Sequence, residues 1–197
     1  MANTDSPRGF RPVDNQFGGE YTGRRIKVAF DAADATAAFN GSLVKYTGAS
    51  LEDGKIPVVT LAAPSDVRIA GAIMDFEPER DGDWTTYYRK ASTQKIAYIP
   101  ADPKCLYQVQ EDSDGGNIDV TTEIGNNVDF TAEVGDTVRG FSTMELASST
   151  AANTAALPLR LHSVVEVEKN SGSSTDSNAT WIVSINQVAE LDTTGSN

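Results

Sequence analysis

Cysteine and histidine are almost missing from this chain: Cys105 and His162 are the only ones in 197 residues. A single cysteine excludes an intramolecular disulfide. One of each cannot make an ordinary zinc site within one chain, so no metal is expected. Long apolar runs are also missing. None approaches the ~18–20 residues that a membrane-spanning helix needs. The opening Met-Ala-Asn-Thr-Asp-Ser-Pro has neither the basic nor the apolar region of a signal peptide. The expectation is a protein made in a cytoplasm, with no membrane partner. Positive charge is scarce, 16 Lys and Arg against 28 Asp and Glu, a net −12. Phosphates would be repelled by such a surface, so nucleic acid is not the expected partner.

The charge is uneven. Residues 1–30 hold five basic and three acidic side chains, +2, and the other 167 residues carry −14. The basic leader contains Arg8, Arg11, Arg24 and Arg25 among Gly9, Gly18, Gly19, Gly23, Pro7 and Pro12, with Phe10, Phe17 and Tyr21 interspersed. Glycine and proline break any helix or strand period there. Three aromatics are more than a solvated tail carries, so residues 1–25 are read as an extended arm that lays Phe10, Phe17 and Tyr21 on a partner.

The body, 26–191, has the periodicity of strands. Cys105 to Gln110 alternates Tyr107 and Val109 with Gln108 and Gln110 and is read as a central strand. Similar texture occurs at Ile26–Phe30, Leu43–Tyr46, Pro57–Leu61, Arg68–Met74, Trp84–Arg89, Gly140–Leu146, Leu157–Glu168 and Thr180–Glu190. Ala32–Phe39 fits one helical turn or a loop. Ala147–Ala156 has no bulky side chain and is read as a surface loop. Residues 192–197 form a frayed tail. About ten short strands with turn signals between them predict an all-β fold, an antiparallel β-sandwich or barrel preceded by the arm.

No catalytic constellation emerges. His162 has no Gly-x-Ser-x-Gly elbow to serve. Gly18-Gly19 and Gly115-Gly116 lack the Lys-Ser/Thr of a phosphate-binding loop. Asp112 to Glu123 has the length of a calcium loop, but Gly116 and Asn117 stand in the wrong order and the flanks are strands. A solvated turn is the better reading. Catalytic, cofactor-binding and metal-binding residues are all expected to be none.

The opening Met1-Ala2-Asn3-Thr4-Asp5-Ser6-Pro7-Arg8-Gly9-Phe10-Arg11-Pro12-Val13 resembles the start of a group of tailed-bacteriophage structural proteins. These commonly begin Met-Ala-Asn, a short polar stretch, then Pro-x-Gly-Phe-Arg-Pro. The likeness extends more loosely to Ala101-Asp102-Pro103, Ile124-Gly125-Asn126-Asn127, Gly140-Phe141-Ser142, Leu157-Pro158-Leu159 and Trp181 to Asn186. Members are capsid decoration, or cement, proteins, or other virion components. The resemblance implies a non-enzymatic protein on the outer surface of the virion capsid, made in the host cytoplasm. Its partner would be the major capsid protein, and it would be a homo-oligomer, dimer or trimer. Arg8, Phe10, Arg11, Phe17, Tyr21, Arg24 and Arg25 would be the capsid-binding residues. The alternative is another binding module, a fibre component or a carbohydrate-binding β-sandwich, with Trp84, Tyr87 and Tyr88 as its platform.

Overall fold

The computed structural model describes residues 3–52, 54–78, 87–114, 116–165 and 177–186, and the fold is all-β. Among these residues there is no helix, and twelve strands form two six-stranded sheets. They are β1 (Arg11–Asn15), β2 (Arg25–Phe30), β3 (Leu43–Leu51), β4 (Ile56–Leu61), β5 (Gly71–Ala72), β6 (Asp75–Phe76), β7 (Lys95–Pro100), β8 (Cys105–Gln110), β9 (Asn127–Phe130), β10 (Leu146–Ala152), β11 (Leu159–Val164) and β12 (Thr180–Ile185). One sheet runs β1-β8-β12-β11-β9-β10 and the other β5-β3-β4-β2-β7-β6. All pairings are antiparallel except β2 with β4. The chain thus places its first strand in the sheet otherwise built from its second half.

The alternation read in Cys105–Gln110 is real: Cys105, Tyr107 and Val109 point inward and Leu106, Gln108 and Gln110 outward. The strand is interior, between β12 and the edge strand β1. Trp181, Val183, Leu159, Leu161, Val128, Phe130, Leu146 and Met144 join its inner face, and Leu43, Ile69 and Ala72 meet them from the other sheet. A second cluster, with Val28, Phe30, Val44, Val59, Ile73, Ala97 and Ile99, fills the other side of β2, β3, β4 and β7.

Several strand readings need correction. Gly140–Leu146 is not a strand: Phe141 makes one isolated bridge to Asn40, and β10 begins only at Leu146. Residues 11–15 are strand β1, paired with β8 through Arg11 opposite Gln108 and Asn15 opposite Cys105, and not a free arm. Ala147–Ala156 is not simply a loop, since β10 runs to Ala152 and pairs with β9. Small side chains hid it, because strand periodicity is visible only where bulky and polar residues alternate. Arg68–Met74 keeps only the two-residue β5. Trp84 and residues 166–176 and 187–197, which hold the ends of three predicted strands and the predicted frayed tail, lie outside the described residues.

One ion pair anchors the loop between β2 and β3. Arg89 is wholly buried, and its guanidinium donates to the backbone carbonyls of Asp31, Asp34, Thr36 and Thr93. It also lies over the Phe30 ring and 3.6 Å from Asp34. Its planar fork of donors suits a loop whose carbonyls have no ladder partner. The Asp34 carboxyl lies below its ordinary range: burial opposes this, but hydrogen bonds from Thr36 and Thr60 and the Arg89 charge prevail.

Candidate interaction surface

Before β1 begins, the N-terminal segment lies against β8 of its own sheet and then against the loop that leads into β3 of the other. Gln110 straps it down: its side-chain oxygen accepts from Ser6 N–H at 2.9 Å and its amide donates to Thr4 O at 2.8 Å. Asn3 donates to Ser177 O. Three residues on, Gly9 meets Gly41. Gly9 has φ +64°, and a Cβ there would lie 2.6 Å from Gly41 O. Phe10 N–H donates to Gly41 O at 2.9 Å, and the Phe10 ring packs edge-on against Phe130 in the core.

These contacts sort the seven residues expected to grip a partner. Phe10 is only 1% exposed, so it is a core residue and not an anchor. Tyr21 is partly buried against the same core; its hydroxyl donates to Arg24 O and lies 3.1 Å from Met74 Sδ. Burial, reinforced by the charges of Cys105 and Asp102, pushes its phenol up to about 12. Arg25 stacks on the Tyr98 ring at 4.2 Å and lies 3.7 Å from Asp75. Arg8, Arg11 and Arg24 are exposed and pair with no carboxylate among the described residues. Phe17 is 82% exposed. It stands at the tip of a hairpin closed by the Asp14–Glu20 bridge, whose turn is built by Asn15 and the left-handed Gly18 and Gly19.

A cleft of about 250 Å³ opens between Arg8, Arg11, Asn40, Met74 and Phe141. Phe141 lies under the Arg8 guanidinium, 5.9 Å from its ring centre, and is 38% exposed. Val138, at 85%, and Val134 are exposed on the same loop. Asp136 ties that loop together by accepting from the Val138 and Arg139 N–H groups, and these bonds hold its carboxyl below the ordinary range. Sequence reasoning missed these three apolar residues. The signal was there: Val134 and Val138 flank the Gly135-Asp136 turn, out of phase with any strand.

The rim changes sign within a few residues. Glu145 lies near Asp5, Asp112 and Asp114, and one of its carboxylate oxygens is buried without a hydrogen-bond partner. Burial and then these like charges push its carboxyl up to about 7.

The remaining polar candidates are occupied by the fold. Asp112 accepts from Ser148 N–H and hydroxyl, Asp119 caps Thr121, and Glu123 accepts from Asp119 N–H. Among the described residues no group of three His, Cys, Asp or Glu side chains is placed to hold a metal ion. His162 Nε2 lies 2.9 Å from Ser184 Oγ on the outer side of β11 and β12, and its pKa is lowered by burial and by Arg160. Cys105 is buried, and that burial pushes its thiol up to about 12, away from the reactive thiolate. Tyr88 stacks on Phe39, centroids 5.0 Å apart, so of the proposed aromatic platform only Tyr87 is seen exposed, and Trp84 is outside the described residues.

Comparison with known proteins finds no matching family, no matching curated protein and no matching solved structure.

Proposed function

We propose that this chain is a non-enzymatic virion protein of a tailed bacteriophage, a decoration protein. It binds the outer surface of the icosahedral head and holds neighbouring major capsid subunits together. The observation that carries the reading is Phe17, an aromatic side chain almost fully in solvent at the tip of a hairpin, in a segment whose Arg8, Arg11 and Arg24 are exposed and pair with no carboxylate among the described residues. Aromatic and arginine side chains dominate interface hot spots.

The likeness of residues 1–13 to phage structural proteins supports the same reading. The anchor set differs from the one expected for a free arm. Phe10 and Tyr21 serve the fold, which leaves Phe17 as the exposed aromatic anchor and Arg24 to meet a capsid carboxylate. A clamp of this kind works by mass action. Surface buried on two subunits at once must be given up before the subunits part, so the assembled head gains the binding free energy. The rigid body matters as much as the grip, because a sheet transmits load between contacts that a flexible tether would let slip.

Co-sedimentation with heads of the phage that carries this chain tests the proposal. The wild-type chain should pellet with expanded, DNA-filled heads and raise the temperature at which they release DNA. Phe17→Ala with Arg24→Glu should fold normally and stay in the supernatant. Equal binding by that variant would remove the hairpin from the mechanism, and no binding by the wild type would remove the capsid.

A further inference from the structure

Residues 5–8 lie beside residues 141–145, and together they form a stripe with opposite charge at its two ends. At one end Arg8 covers Phe141, with Arg11 next to it across the cleft. At the other, Asp112 is hydrogen-bonded to Leu146 and Ser148 beside Glu145, and the charges of Asp5 and Asp114 act on the same carboxyl. Gly9 against Ser142 fixes the alignment between them. Neither end is neutralised from within. Arg8 and Arg11 have no carboxylate partner among the described residues, and a Glu145 oxygen has no hydrogen-bond donor.

We propose that this stripe is the contact between two copies of the chain, related by a two-fold axis through its middle. A rotation by half a turn lays the Arg8–Arg11 end of each copy on the Asp5–Asp114 end of the other. One operation then satisfies both ends twice, which is what an isologous interface requires. A head-to-tail contact would satisfy each end once and leave one of each exposed at the ends of a chain of copies. The exposed Phe141, Val134 and Val138 supply apolar area beside the positive end, so the contact is not made of exposed ion pairs alone. The cluster of like charges also acquires a purpose: it costs the monomer and is relieved on pairing. The inference does not depend on the capsid reading, because it concerns the purified chain alone.

Sedimentation equilibrium tests it with the full chain and two charge-reversed variants at exposed positions, R8E/R11E and D5K/D114K. At low salt and tens of micromolar protein, the wild type should show twice the 21.0 kDa chain mass. Raising the salt to half molar should weaken the dimer about tenfold, since exposed charge pairs are screened. Each variant alone should be monomeric, and an equimolar mixture should return to the dimer mass, as each reversed end then meets its opposite. A monomeric wild type overturns the proposal. So does a dimer indifferent to salt, a variant that still dimerises alone, or a mixture that stays monomeric.

Discussion

The indole N–H of Trp181 donates to Glu111 at 3.2 Å, in the apolar interior between the sheets where neither side chain reaches solvent. The same carboxylate accepts from the backbone N–H groups of Ile118 and Ala179. It therefore gathers three donors that no strand ladder uses, and ties the loop after β8 to the start of β12. Burial outweighs these bonds, and the Glu111 carboxyl is pushed up. Glu111→Gln keeps one acceptor oxygen for Ile118 and Trp181 and turns an amide toward Ala179. It should cost about 1 kcal/mol in urea unfolding, whereas Glu111→Leu strands all three donors and should cost about 3 kcal/mol or more. Equal costs would mean that packing, and not hydrogen bonding, sets the value of this position.

Stability should fall as pH rises from mildly acidic values, because the raised carboxyls of Glu111 and Glu145 both hold their protons longer in the folded state, and Glu145 is the one that can be isolated by substitution. Its folded pKa of about 7 lies above its ordinary 4.5, so the folded state holds the proton longer than the unfolded one. Its contribution is therefore most favourable below pH 4.5 and is lost as pH climbs to about 7. His162, whose pKa is lowered, contributes a slope of the opposite sign near its own ordinary value. The difference between wild type and Glu145→Gln cancels it. The melting temperature of Glu145→Gln should exceed that of the wild type at pH 8, and the gap should close by pH 4.5. A gap independent of pH would show that Glu145 does not titrate in this window.

Arg89 should be intolerant of conservative change. Lysine keeps the charge but presents one ammonium where four carbonyls are arranged around a planar fork. Arg89→Lys should cost about 2 kcal/mol and Arg89→Met about 3 kcal/mol or more, because Asp34 then sits partly buried without its counter-charge. Chemical denaturation measures both.

Phe10 and Phe17, seven residues apart, should separate cleanly. Phe10→Ala opens a cavity beside Phe130 and should cost about 3–5 kcal/mol. Phe17→Ala should leave the melting temperature unchanged. Gly9→Ala should behave like the first of these, costing about 1–3 kcal/mol, since the left-handed backbone and the approach of Gly41 both resist a side chain.

Much of the fold was legible in the chain, for definite reasons. β2, β8 and β11 alternate apolar with polar residues and β4 and β12 are short runs rich in Val, Ile and Trp, and each is found within a residue or two of its expected start. β10 was hidden because Ala, Ser and Thr carry no amphipathic signal, so that strand is fixed by β9 and by Ser148 on Asp112. β1 was hidden by its composition: Pro12 and the neighbouring glycines suggest irregular chain, yet an edge strand tolerates a proline that faces away from its partner. The same local view could not distinguish Phe10 from Phe17. Both are aromatics among arginine and glycine, and only the position of Gly41, thirty residues on, turns one of them inward. The three exposed apolar residues at 134–141 lay in a turn, where apolar character has no periodic reference.

Because β1 is completed only by β8, the ribosome releases the leading strand some ninety residues before the segment that receives it exists. The other sheet, β2 to β7, can close in the meantime, and the first residues must stay unpaired until the remainder is made. Closure of this sheet thus runs against the order of synthesis: β1 is made ahead of β8 and can be seated only after it.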